Sequence, residues 1–71
     1  MIACQGSACS VVEVSWDEDA AGYRITNTDN RTVRIVLAGF NYSLAVRLGP
    51  KEEQIICVEE FEPPMLAEFC D

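Results

Sequence analysis

Along residues 11–16, VVEVSW, apolar and polar positions alternate, with Val12, Val14 and Trp16 on one side and Val11, Glu13 and Ser15 on the other. A period of two is that of a strand with one face in a core, because successive side chains of an extended chain point to opposite faces. The acidic stretch DEDAAG (17–22) ends that strand, and YRITNT (23–28) resumes the alternation with Tyr23 and Ile25 inward and Arg24 and Thr26 outward. Asp29, Asn30 and Arg31 follow as a turn, since Asp and Asn bond their own backbone and tolerate left-handed conformations. TVRIVLAG (32–39) then places Val33, Ile35 and Leu37 inward, and YSLAVRL (42–48) does the same with Leu44, Val46 and Leu48.

After the Gly-Pro turn GPKEE (49–53), QIICVEEF (54–61) predicts a fifth strand with two partly apolar faces. Either Ile56 and Val58, or Ile55, Cys57 and Phe61, face the core. Pro63 and Pro64 cannot continue a ladder or a helix, so MLAEFC (65–70) is expected as a short strand or one helical turn. Four strands between residues 11 and 48 leave no room for a crossover helix. The pattern therefore predicts an all-β fold of five to six short strands, an antiparallel sandwich or a partly open barrel. A chain of 71 residues holds one domain (1–71), read as a Cys-containing arm (1–10), a β core (11–61) and a Pro-containing tail (62–71). The stretches YRITNTDNRTVRIVL and LAVRLGPKEEQII resemble the strand-turn-strand core of small bacterial immunoglobulin-like accessory domains, with an inward aromatic, an Asn at the strand end and a Pro-containing turn. The resemblance implies an immunoglobulin-like sandwich and carries no function with it. The Cys…Trp…Cys order of antibody-type domains is missing.

Twelve carboxylates against five cations give a net charge of −7 and a pI near 4.3. A phosphate backbone would be repelled, so no nucleic-acid partner is expected; the charge favours a basic protein partner. Eight of the twelve carboxylates fall in two stretches: Asp17, Glu18 and Asp19, and then Glu52, Glu53, Glu59, Glu60 and Glu62. Asp17, Glu18, Asp19, Glu59, Glu60 and Glu62 are the expected partner-binding set. No window approaches the roughly 18 consecutive apolar residues of a membrane span, and no membrane partner is expected. A monomer or weak homodimer is expected.

Four cysteines, Cys4, Cys9, Cys57 and Cys70, in so short a chain are the arithmetic of a disulfide framework. That predicts an oxidising setting, periplasmic or extracellular, or cytoplasmic if the thiols are reduced. Pairing Cys4 and Cys9 with Cys57 and Cys70 across the chain is preferred to the local pairing, because each long loop restricts the unfolded chain by about 4 kcal/mol. Zinc is disfavoured by spacing and by the absence of His, and no metal or cofactor is expected. Without His there is no Ser-His or Cys-His nucleophile, so no catalytic residue and no enzyme is expected. Asp17, Glu18 and Asp19 with Gly22 lack the spacing of a calcium loop.

Face and register together make one more prediction. Keeping the inward residues of 32–39 and 42–48 on one face requires the pairs 37/44, 35/46 and 33/48, which puts Arg34 directly opposite Arg47. If the preceding strand pairs alongside through Ile25 and Ile35, Arg24 joins them in an exposed basic face, Arg24, Arg34 and Arg47. Like charges directly opposite are destabilising, so Glu13 or Glu59 is expected to intervene, or else an anionic group of a partner.

Overall fold

The computed structural model describes residues 3–58 and 61–70. Among these residues seven strands run in chain order: β1 (Cys4–Gln5), β2 (Val12–Asp17), β3 (Gly22–Asn27), β4 (Val33–Ala38), β5 (Ser43–Leu48), β6 (Glu53–Ile56) and β7 (Glu62–Phe69). They form a four-stranded sheet in the order β1-β7-β4-β5 and a three-stranded sheet in the order β2-β3-β6. Every pairing is antiparallel except β1 on β7. The fold is all-β, as the alternation predicts, and the sheets do not close into a barrel.

The inward positions build one core from both sheets. Ile25 and Ile56 from the three-stranded sheet meet Val33, Ile35, Leu37, Leu48, Met65 and Ala67 from the four-stranded one. The β4–β5 hairpin has the predicted register: Val33 pairs with Leu48, Ile35 with Val46 and Leu37 with Leu44, and Arg34 faces Arg47. At the fifth strand Ile56 is buried and Ile55 and Cys57 exposed; beyond the strand's end Val58 and Phe61, one from each alternative, both pack on the core. Trp16, expected inward, is 45% exposed because β2 is an edge strand and Trp16 sits near its end.

Two findings change the predicted layout. The strand expected over 65–70 is present, but as β7 it starts at Glu62, takes in Pro63 and Pro64, and lies between β1 and β4 inside the larger sheet. Its prolines fit because the register shifts there: Val36 pairs with Leu66 but Ala38 with Glu62. Pro63 and Pro64, joined by a cis peptide bond, thus fall in an irregularity that asks no ladder hydrogen bond of them. Second, β3 does not pair with β4. It pairs with β2 and β6, and the chain crosses to the other sheet between Asn27 and Val33.

Asn27 holds that crossing. It is the buried polar side chain at the end of β3. Its Nδ2 donates to the carbonyls of Arg31 (2.7 Å), Gly49 (2.9 Å) and Leu48 (3.3 Å), and its Oδ1 accepts from Asp29 N–H (3.0 Å). One amide thereby ties together backbone groups of two crossings between the sheets, where the chain leaves its ladders.

Cys4 and Cys9 form a disulfide with a Cα separation of 5.9 Å, and Cys57 and Cys70 are free thiols. This overturns the long-range pairing. Gly6 permits the tight loop through its φ of +123° and its close packing on the Ala67 carbonyl, where a Cβ would collide. Ala8 N–H then donates to Ala67 O (3.0 Å), docking the bridged loop on β7. The other two thiols cannot meet. Cys57 Sγ lies 3.8 Å from Ala20 O in the β2–β3 turn, whereas Cys70 N–H bonds Thr32 O beside β4's start. These are opposite ends of the strands, about 17 Å apart for a six-residue strand.

Candidate protein-binding end

The β2–β3 turn, the β4–β5 hairpin tip and the start of β7 come together at one end of the sandwich. A chain of ring contacts and a shared cleft join them there. Trp16 meets Tyr23 edge-on at 5.0 Å between centroids, and Tyr23 meets Phe61 the same way at 5.1 Å. Phe61 lines a cleft of about 270 Å³ with Gly39, Phe40, Glu62 and Pro63. Edge-to-face rings in this range attract through their quadrupoles, so the row ties the two sheets together where the strands end.

Phe40 stands at the hairpin tip with 95% of its surface exposed. An isolated surface apolar residue is ordinary. Here the exposed residue lines one cleft with half-buried Phe61 and lies at the same end as partly exposed Trp16, an aromatic cluster of the kind that anchors interfaces.

The acidic residues divide according to what compensates them. Asp17 is spent internally: its carboxylate accepts from Arg24 and from Ala20 N–H (3.1 Å), closing the turn. The guanidinium, and after it the Ala20 N–H, holds the Asp17 carboxyl below its ordinary range, and Arg24 is raised in return. Arg24 also binds Glu53 (3.0 Å), whose other oxygen accepts from Thr26 (3.2 Å). Glu52 accepts from Gly49 N–H (2.6 Å) within the β5–β6 turn. Glu18 and Asp19 at the β2–β3 turn and Glu62 at the cleft rim are exposed, and among the described residues no cation pairs with them. Of the six residues expected to bind a partner, Asp17, Glu18, Asp19 and Glu62 therefore share one end. Glu59 and Glu60 lie outside the described residues.

The exposed basic face is corrected. Arg34 and Arg47 are adjacent on the outer face of the larger sheet, but Arg24 belongs to the other sheet and is paired with Asp17 and Glu53. Glu13 stands opposite Thr26 in that other sheet and cannot intervene. The carboxylate opposite Arg34 is Glu68 of β7, in the stretch read as a tail. Arg47 lies on β5, beyond which no strand pairs among the described residues. Arg31 is used at the opposite end, pairing with Asp29 (3.1 Å) and covering the Phe69 ring at 3.6 Å.

Phe40 was not singled out by sequence reasoning; a Phe between Gly39 and Asn41, both turn formers, was the available signal. Among the described residues no group of three or more Cys, Asp or Glu could hold a metal ion, and no helix is long and apolar enough to cross a membrane. Comparison with protein-family models, with characterised proteins and with solved structures finds no match.

Proposed function

We propose that the protein is a non-enzymatic interaction module that binds, and occludes, a basic surface of a partner protein through its aromatic and acidic end. The observation that carries this reading is the 95% exposed Phe40 at the same end as the uncompensated carboxylates Glu18, Asp19 and Glu62. An aromatic anchor supplies affinity on desolvation, and the surrounding carboxylates steer and select a cationic partner. The Cys4–Cys9 bond is compatible with an oxidising compartment, which supports a periplasmic or extracellular setting. It supports equally a second reading, a structural immunoglobulin-like accessory domain of an exported or surface protein, for which the two-sheet architecture speaks.

The two readings separate by experiment. A partner captured by crosslinking at Phe40 is titrated against the protein at several salt concentrations. Under the first reading Phe40→Ala weakens binding at least tenfold with an unchanged salt slope, whereas Glu18→Lys with Asp19→Lys weakens it and flattens the slope. If both variants bind like the parent protein, the aromatic and acidic end is not the interface.

A further inference from the structure

Among the described residues no strand pairs with the outer edge of β5 in the larger sheet or of β6 in the smaller one. They lie one above the other, because only residues 49–52 join them, turning through a Glu52 N–H bond to Gly49 O (3.1 Å). The same reversal makes β6 run opposite to β5. Natural sheets usually block such edges with proline, a bulge or a charge. Ser43–Leu48 has no proline and no carboxylate, and its pairing with β4 runs without a break. Its one charge, Arg47, already faces Arg34.

The hydrogen-bond phase of both edges follows from the structure. Gly39 N–H donates to Tyr42 O (2.9 Å), so 39/42 is a bonded pair. Bonded and non-bonded pairs alternate along an antiparallel ladder; Ser43, Ala45 and Arg47 therefore turn their N–H and C=O groups to the open side. Asn27 N–H donates to Glu52 O (2.9 Å), and the same alternation turns those of Glu53 and Ile55 to the open side of β6. On each strand these are also the outward-facing residues, all of them exposed.

From this match we infer that a second copy of the chain docks on these edges, β5 of one copy antiparallel to β6 of the other and the reverse, about a two-fold axis parallel to the strands. Arg47 then bonds through the backbone to Glu53 of the second copy, and Ala45 to Ile55 of the second copy. Each pair exchanges two hydrogen bonds. The guanidinium of Arg47 comes beside the Glu53 carboxylate, which would be shared with Arg24 and Thr26 of its own chain, and Ile55, 37% exposed, gains an apolar neighbour. Registers shifted by two residues keep the phase but leave Arg47 opposite Ile55, or Glu53 opposite Ala45; the 47/53 register is the one in which the charges pair. A β5–β5 pairing would set Arg47 against Ser43 or Ala45 and satisfy nothing. Because the axis runs along the strands, the dimer carries its two aromatic and acidic ends side by side, facing the same way. The inference does not depend on what those ends bind.

Sedimentation velocity across a concentration series tests it, with circular dichroism checking the fold of each variant. The parent protein is expected to pass from monomer to dimer as concentration rises. Ala45→Pro removes an edge-facing N–H that no strand of the monomer uses and is expected to abolish the dimer. Arg47→Glu alone and Glu53→Arg alone each place like charges at both junctions and are expected to weaken dimerisation at least tenfold. Mixed in equal amounts, the two single variants are expected to form a heterodimer, since one junction then pairs the exchanged charges and the other the original ones. A parent protein that stays monomeric at millimolar concentration overturns the inference. So does a dimer indifferent to Ala45→Pro, or a mixture that fails to restore association.

Discussion

Replacing Asn27 by Ala removes the one buried amide that joins both crossings between the sheets. Three of its bonds are short: to Arg31 O at 2.7 Å, Gly49 O at 2.9 Å and from Asp29 N–H at 3.0 Å. The bond to Leu48 O is longer at 3.3 Å and adds little. A buried hydrogen bond contributes about 1 kcal/mol net, and a group stranded without a partner costs more. Losing three, and leaving part of the side chain's volume empty, is expected to cost about 4 kcal/mol. A chain of this length has a total stability of about 4 to 11 kcal/mol, so the loss takes a third of it or all of it. Urea unfolding followed by circular dichroism measures this. With a slope of about 1 kcal/mol per molar for so small a domain, the midpoint should fall by about 4 M or the variant should be unfolded in buffer. Asn27→Asp discriminates further. Its carboxylate would face three carbonyl oxygens, raising its folded pKa above the unfolded value, so the variant should regain stability as pH falls and lose it as pH rises. A loss under about 1 kcal/mol for the Ala variant, with the crossings intact, would refute the reasoning.

Intact mass without reduction should lie two hydrogens below the fully reduced value, with Cys57 and Cys70 alone alkylated on unfolding; four modified thiols, or none, would contradict the Cys4–Cys9 pairing. Arg34→Thr with Arg47→Thr should leave monomer stability unchanged or raise it by about 0.5 kcal/mol, because directly opposed like charges are relieved, and a clear loss in thermal unfolding would mean these arginines do structural service. Asp17 is lowered chiefly by Arg24 and Asp29 chiefly by Asn30 N–H. A depressed folded pKa gives stability that is present above the unfolded value, about 3.9, and lost as pH falls below it. The double variant Asp17→Asn with Asp29→Asn should therefore show a flatter acid limb than the parent, and an identical limb would show that these two carboxylates are not linked to folding.

The hairpin of β4 and β5 was legible residue by residue, because everything that determines it is local. Alternation fixes which residues face the core, and a short loop fixes which strand lies beside which. Once those hold, Arg34 opposite Arg47 is forced. The crossing from β3 to β4 was not legible, since a loop of five residues can close a hairpin in one sheet or arch over to another without altering the period on either side. The sequence did contain a sign of the arch. Asn27 occupies an inward position, in phase with Tyr23 and Ile25, where a hairpin would want an apolar side chain and an arch needs a polar one for its unpaired carbonyls.

The same distinction accounts for what was misplaced at the candidate site. A hairpin of the third and fourth strands puts Arg24 beside Arg34 on one exposed face, whereas β3 lies in the other sheet and the carboxylates that pair with Arg24 are Asp17 and Glu53. The disulfide was misjudged for a related reason. The entropic gain of a long loop is real, but it operates only between sulfurs that the fold brings together, and β3 separates the ends at which Cys57 and Cys70 lie. Gly6, at a φ that disfavours other residues, is what lets the short loop close instead. The clustering of Asp17, Glu18, Asp19 and Glu62 required no such knowledge of pairing partners. In a sandwich whose successive strands reverse, the second and fourth strands both end, and the seventh begins, at the same side. A turn after Asp17, a hairpin tip at Phe40 and a strand entry at Glu62 are thus drawn to one end by strand count alone. A carboxylate's distance along the chain matters less there than the parity of the strand that carries it, which is why residues more than forty positions apart share a surface with the aromatic row between them.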